Sequence, residues 1–430
     1  MSGRPGQSER LAADTHATIK GSYMAETFTN WSGSIEFTPT ARAAPGSADD
    51  IVQLVAEARR TGGTVRPVGS GHSSVPIFNT PDTLVSLENL TGVLDADASA
   101  RQARVLPGTG LRDLGSQLAD RGLAMENLGD VDYQAIAGAI ATGTHGSGVR
   151  LGNLSSTLVG GQLINGLGEE VPFGVDAGEG EDHDLLRAAQ VSLGTLGIMT
   201  SLTLRLEEAY DLHRQNYITH IDWVLENFEA LIESNRSVDF YWYPRSDLAQ
   251  VRMLNKPGDE PDLKPQGELK KDETGPNYEI IPNDRALHFE EMEYMLPLDT
   301  QLEAFRQVRE RVKAKHRARV GWRVLVRTIA PDHALISNAE ARYRDGSPTM
   351  TIALLQNNTL PYKQYFDDLE PLLQEFDGRP HWGKKHTMTA EQLAPLYPEW
   401  ETFQKIRRQM DPDGIFMNDY LRSLLGEEGK

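Results

Sequence analysis

The sequence predicts an α+β protein built from two domains, and three observations carry that prediction. At 430 residues the chain is longer than one ordinary hydrophobic core organises. In its first half, helix-patterned stretches alternate with short strands and glycine-rich turns. From about residue 209 the pattern changes to aromatic-rich, alternating segments of the kind that pair as antiparallel strands.

Residues 1–30 are polar, lack the apolar run of a signal peptide or anchor, and read as a loose extension. No stretch of about eighteen apolar residues follows, so membrane insertion is not expected and the cytoplasm is the default location. SADDIVQLVAEARRTG (47–62) is a complete helix. Ser47 caps it with Asp50 three residues on, Ile51, Leu54, Val55 and Ala58 make the apolar stripe, and Gly62 ends it. TVRPVGSG is a short strand running into a glycine loop. DTLVSLENL (82–90) and ARVLPGTG (103–110) are further strands, and LRDLGSQLADRG (111–122) is a helix.

NLGDVDYQAIAGAIATGTHGSG (127–148) is the second glycine-rich segment. Its middle, Ala135 to Ala141, is small and apolar, which lets a neighbouring element or a flat ligand lie close. Its end offers hydroxyls and free amides without bulk, as a buried pyrophosphate requires. VSLGTLGIMTSLTLRLEE (191–208) ends in an alternating strand. Beyond it SVDFYWYPRSDLAQVRMLN, RALHFEEMEYMLPL, RVLVRTIA and TMTIALLQN read as strands. QLEAFRQVRERVKAKH (301–316) is an amphipathic helix, and residues 255–277, rich in Pro, Gly and charge, read as a loop.

Forty-three Lys and Arg against 62 Asp and Glu leave a net charge of −19, which opposes nonspecific binding to nucleic acid or anionic membranes. The chain has no Cys, so disulfides, thiolate chemistry, cysteine-ligated zinc and Fe–S clusters are excluded.

RPVGSGHSS (66–74) poses the main functional question. Gly69 and Gly71 permit a tight loop and close backbone approach to a ligand. His72 then projects onto whatever the loop cradles, as a turn residue, a metal ligand, a base or a group bonded to a cofactor. A dinucleotide fingerprint is excluded by the missing third glycine and by the absence of an immediate helix, and the Lys-Ser/Thr of a P-loop is missing too. His72, His145, His381 and His386 lack the spacing of a convincing metal set, so no metal is expected.

The order of PVGSGHS, LGDVDYQAIAGAIATGTHGSG, SLGTLGIMTSLTL and GRPHWGKKH resembles one family closely. It is similar to the aldonolactone oxidoreductase and alditol oxidase branch of the vanillyl-alcohol-oxidase-type (PCMH-type) flavoproteins. The resemblance runs from NWSGSIEFTP at residue 30 to DPDGIFMNDYLRSLL near 425. It implies an FAD-binding domain over 31–205, a cap or substrate domain over 206–390, and a segment 391–430 returning to the FAD domain. It also implies that His72 is joined covalently to the 8α-methyl of FAD. The further implied FAD contacts are Pro67, Val68, Gly69, Ser70, Gly71 and Ser73, then Asp130, Ala135, Gly138, Thr142, Gly143, Thr144 and His145, and finally Met199 and His381.

By the same resemblance Lys384 and Arg327 touch substrate beside the flavin. Lys384 polarises or helps deprotonate the hydroxyl if desolvation lowers its pKa, and Arg327 donates hydrogen bonds and supports the reduced flavin anion. Relatives usually carry a glutamate two residues before this arginine to hold sugar hydroxyls; here that residue is Leu325. Asp130 stands where polyol-oxidising relatives have a serine, and is offered as the compensating acceptor. Gly129 stands where dehydrogenases tend to carry alanine against oxygen, which favours an oxidase. The implied activity is FAD-dependent oxidation of an alcohol in an aldonolactone or polyol, with O2 as acceptor giving H2O2. The alternatives are a dehydrogenase using a quinone or cytochrome, and a flavin- or sugar-binding protein without turnover. The oligomeric state is open.

Overall fold

Ser47 begins the first helix as its sequence predicts: its hydroxyl accepts from the Asp50 amide at 3.2 Å, and Gly62, at φ 71°, closes Ala48–Thr61. The computed structural model describes residues 22–24, 26–178, 182–284, 286–341 and 346–427. The buried stripe Ile51, Leu54, Val55 and Ala58 packs on Val65, Val85 and Ala43. These belong to a four-stranded sheet in which Thr83–Ser86 runs parallel to both Ala41–Ala43 and Val65–Val68. Val65–Val68 leads directly into the loop Gly69–Ser73, so the sheet aims His72. Gly71 has φ 66°, and a Cβ there would stand 2.8 Å from the Phe28 ring, so only glycine fits.

The loose extension expected over residues 1–30 needs correction at its end. Residues 1–21 and 25 lie outside the described residues. Ser22–Met24, however, pairs with Ala41–Ala43, and Phe28–Thr29 pairs with Glu36–Phe37. The Phe28 ring packs on Phe78 at 5.5 Å, and that burial holds Trp31 against His72. Aromatic contacts made far along the chain order a stretch whose local composition reads as arm.

Behind the first sheet lies an antiparallel sheet of five strands, in the order Glu170–Gly174, Leu158–Ile164, Ile198–Arg205, Gln102–Val105, Val93–Asp97. The small-residue segment resolves as a helix, Ile136–Ala141. The C-terminal stretch crosses back to the first sheet: Ile415 O accepts from Val65 N at 2.9 Å. The buried Arg66 guanidinium likewise bonds the carbonyls of Leu193, Gly194 and Phe416.

The second half forms an eight-stranded antiparallel sheet. Its order is Gly267–Pro276, Asp211–His220, Leu248–Asn255, Ser237–Tyr243, Val324–Ile329, Thr349–Asn357, Phe289–Pro297, Arg379–Pro380. Residues 255–277 are therefore not all loop, because Gly267–Pro276 is the edge strand beside Asp211–His220. GELKKDETGP reads as loop for the reason it suits an edge: exposed charge there discourages pairing with another chain. The 301–316 helix is regular over Glu303–Arg311 and ends in a wider π-type turn, Val312–His316. Among the described residues no helix is long and apolar enough to cross a membrane.

A glycine inside helix Leu111–Ala119 ties the two halves together. A Cβ on Gly115 would lie 2.4 Å from Tyr278 Cβ, so the bare backbone lets the segment carrying Tyr278 dock. Gly115→Ala raises helix propensity by about 1 kcal/mol. Overpacking costs about 1–3 kcal/mol, so a melting temperature lower by a few degrees is expected in calorimetry. An unchanged or raised value would show that Tyr278 yields without cost.

Candidate active site

Two hollows meet at His72. The first is a cleft with about 880 Å³ of space, part of it open to solvent, between the loop Pro67–Ser73 and the small-residue helix. Pro67, Val68, Gly69, Ser70, Gly71, Ser73, Ala135, Gly138, Thr142 and Met199 all line it, together with Pro107 and Ser192–Gly194, which the sequence reading did not single out. A Cβ on Gly138 would meet nothing within 4 Å, and the glycine loop and the small-residue helix give their side of the wall small side chains and backbone. His72 Nδ1 is hidden from solvent and has no hydrogen-bond partner. A cleft bordered by His72, with its buried and partnerless Nδ1, by the glycine loop and by the small-residue helix offers what a bound flavin nucleotide needs, so these residues fit FAD. Burial, then the nearby charges of Lys384 and His288, push the His72 pKa down to about 3, which keeps its imidazole neutral.

The second hollow lies between His72 and the eight-stranded sheet. Gly129, Asp130, Thr144, His145, Arg327, His381 and Lys384 line it, with Glu291, Glu293, Phe289, Leu325 and Leu355. Of the expected cofactor contacts, Asp130, Thr144, His145 and His381 thus face this hollow rather than the cleft, while Ser73 and Thr142 border both. Gly143 borders neither; at φ 74° it makes the turn between them.

The sheet register sets the charges. Arg327 stands opposite Thr351, and Leu325 and Glu293 both stand opposite Ala353, while Glu291 stands opposite Leu355. Alternation of side chains puts all of these on one face. Arg327 Nη2 donates to Glu293 Oε1 at 2.5 Å, and Thr351 Oγ1 donates to the same oxygen at 2.8 Å. Burial opposes both charges of this pair, yet each outweighs it for the other: Arg327 holds the Glu293 carboxyl well below its ordinary range, and Glu293 raises Arg327.

His145 Nδ1 donates to the Gly146 carbonyl at 3.0 Å, which leaves Nε2 to accept from Arg327 at 3.3 Å. Burial and Arg327 push His145 down, so it is neutral in that tautomer. His381 is pushed well below its usual value, chiefly by burial, with Lys384, His145 and Arg327 adding to it. Its Nδ1 accepts from the Gly383 amide at 3.0 Å. The ligand atoms of His145, Glu293 and His381 lie within 4.8 Å of one another, but the Arg327 guanidinium takes the place a cation would fill.

Two expectations change. Lys384 is not a lone amine, since its Nζ is ion-paired to Glu291. Asp130 is a constrained acceptor: its Oδ1 takes hydrogen bonds from Tyr241 Oη at 2.9 Å, Arg252 Nη1 at 3.1 Å and Asn283 Nδ2 at 2.6 Å. Arg252 is itself held by Asp239. Glu291 and Glu293 were missed by the sequence reading. Their signal lies in HFEEMEYMLPL, where Glu291 and Glu293, two residues apart, share one face of a largely apolar strand that also carries Glu290 on the other face.

Residues 39–174 match the FAD binding domain family, and residues 202–275 and 266–424 match the D-arabinono-1,4-lactone oxidase family. The chain is 32% identical to the L-gulono-1,4-lactone dehydrogenase of Mycobacterium tuberculosis, over 94% of this chain and all of that one. It is 30% identical to the alditol oxidase of a Streptomyces species, over 94% and 100% of the two chains. A solved cholesterol oxidase from B. sterolicum superposes with a TM-score of 0.82 at 15% identity, covering 94% of this chain and 97% of that one, a likeness of fold. Fold and cleft together define a two-domain FAD-binding flavoprotein of the vanillyl-alcohol-oxidase type, with a cap domain over the cofactor domain. Within that class the chain belongs to the D-arabinono-1,4-lactone oxidase family, and it is an oxidoreductase acting on CH–OH groups.

Proposed function

We propose that the protein oxidises an alcohol carbon of a sugar-derived substrate, an aldonolactone or polyol, at an FAD carried covalently by His72, with O2 reduced to H2O2. The observation that carries this reading is the place of His72, which borders both the nucleotide cleft and the charged hollow and whose Nδ1 is buried without a partner. FAD, when bound, supplies a ring that takes the hydride of the carbinol carbon and passes the electrons on. Lys384 donates a hydrogen bond to the substrate oxygen, and the Glu291 carboxylate beside it accepts the hydroxyl proton. Arg327, fixed by Glu293, supplies positive charge at the inner end of the hollow. The change of sheet after Ile198–Arg205 supports a boundary near 205/206, with Glu207–Glu208 still paired to Leu123–Ala124, whereas a boundary at 390/391 would cut the helix Ala390–Leu393.

The test is anaerobic bleaching of the visible flavin band by a panel of polyols, aldonolactones, sugars and simple alcohols, followed by air. Bleaching by one class with fast recovery supports an oxidase. Bleaching with slow recovery supports a dehydrogenase using a quinone or cytochrome, a reading favoured by the name of the 32% identical relative. No bleaching by any alcohol leaves a binding protein. Gly129 borders the hollow, and a Cβ there would stand 3.1 Å from Thr144 Cγ2, close enough to need a small shift. Gly129→Ala is therefore expected to slow reoxidation by O2 several-fold and to leave the anaerobic reduction rate nearly unchanged. Equal loss in both steps would tie Gly129 to substrate rather than oxygen.

A further inference from the structure

We infer that the substrate carries an alkyl or aryl substituent beside its reacting carbinol, and that Leu325, Leu355 and Phe289 form the subsite for it. The inference rests on the reading of the second hollow as the substrate site, and narrows the substrate class of that reading away from free polyols.

The floor of that hollow is divided by the sheet itself. On strand Phe289–Pro297 stand Glu291 and Glu293. Their cross-strand neighbours are Leu355 and Ala353, and the next neighbour is Leu325. The apolar side continues outward without a break: Tyr241, Phe289, Leu325, Ala353 and Leu355 form one buried cluster, with Trp31, Tyr243 and Trp322 packed against it. Phe289 lies between two indoles, 5.1 Å from the Trp31 ring and 5.5 Å from that of Trp322. Trp31 in turn stands 4.6 Å from the His72 ring, so this wall begins at the cofactor attachment point.

The polar side has few acceptors left for an extended sugar chain. Glu291 Oε2 is paired with Lys384 and Glu293 Oε1 takes Arg327 and Thr351, which leaves Glu293 Oε2 as a remaining buried acceptor. The Asp130 Oδ1 atom takes three donors from neighbouring side chains. One hydroxyl can be served by Lys384 and Glu291. The further hydroxyls of a free polyol would face Phe289, Leu325 and Leu355, where a buried hydroxyl has no partner and is disfavoured. A hydrocarbon substituent in the same place removes apolar surface from water on both partners.

The experiment uses the flavin-loaded, full-length protein and two readouts. The first is binding: tertiary alcohols have no carbinol hydrogen and cannot be oxidised, so their perturbation of the flavin absorption spectrum reports occupancy alone. Affinity is expected to rise roughly threefold to fourfold per methylene from tert-butanol through 2-methyl-2-butanol to 2-methyl-2-hexanol. The second is anaerobic flavin reduction by 1,2-butanediol, 1,2-hexanediol and xylitol, where 1,2-hexanediol is expected to have the highest kcat/KM. Leu325→Gln should flatten the chain-length dependence and improve xylitol relative to 1,2-hexanediol. The inference is overturned if affinity is independent of chain length, if no tertiary alcohol perturbs the spectrum, or if xylitol reduces the flavin as well as 1,2-hexanediol does. Chain-length-dependent binding without reduction by any diol or polyol would instead overturn the oxidation reading and leave the subsite standing.

Discussion

His72→Ala protein should release all of its flavin on acid precipitation and leave a white pellet, whereas the unaltered protein should give a yellow one. Three features of the His72 environment lead to this expectation. The ring is stacked at an angle on Trp31 with centroids 4.6 Å apart, so it is oriented rather than swinging in the loop. Its Nδ1 atom is buried without a partner. Its pKa is pushed down to about 3, first by burial. A neutral imidazole is the nucleophilic form, so attachment of added FAD to apoprotein should be indifferent to pH between about 5 and 8, well above the titration of this group. An ordinary surface histidine would lose attachment as pH falls through about 6.5. A white pellet from the unaltered protein would remove the covalent assignment and leave the cleft to bind FAD by contacts alone.

The second large effect is expected at Lys384. Lys384→Met should slow anaerobic flavin reduction by about 10²–10³-fold, the range seen when one preorganised electrostatic or proton-transferring group is removed. The same change strands the Glu291 carboxylate, whose side chain is 6% exposed, without its cation. Breaking such a pair costs about 3–5 kcal/mol, so a fall in melting temperature will accompany the slow reduction. The double variant Lys384→Met with Glu291→Gln, compared with Glu291→Gln alone because Glu291 is itself the proton acceptor, separates the two effects. Stability should largely return, because no unpaired charge remains, while reduction stays slow. If reduction in the single variant is as fast as in the parent, Lys384 has no catalytic role and the ion pair is structural. Arg327→Met is a poorer probe, since it strips the fully buried Glu293 of its partner and disturbs His145 at once.

Much of the site was legible in the residues because its signals are local. A glycine loop at the end of a strand, a run of small residues, and the RPHWGK segment each act within a few residues of themselves. The helix 47–62 was legible for the same reason, with its cap, stripe and terminating glycine all inside one window. The N-terminal strands and the edge strand Gly267–Pro276 were not, because both owe their order to partners distant in sequence. Glu291 and Glu293 were overlooked since a glutamate in a strand reads as surface until the sheet is known to be covered on that face. Lys384 and Asp130 were seen as single residues, and their partners Glu291, Tyr241, Arg252 and Asn283 come from elements far along the chain.

By itself, then, the sequence determined the backbone chemistry of this protein: where it turns, where it admits a cofactor, and that His72 stands at the tip of the loop. Only the tertiary structure decided which charges meet and where the hollow is apolar. The reason is physical. Turn and cap preferences come from covalent geometry and neighbouring residues, whereas the pairing of Arg327 with Glu293, and of Leu325 with Ala353 and Tyr241, follows from strand register. A slip of one residue in that register would turn every one of those side chains to the opposite face.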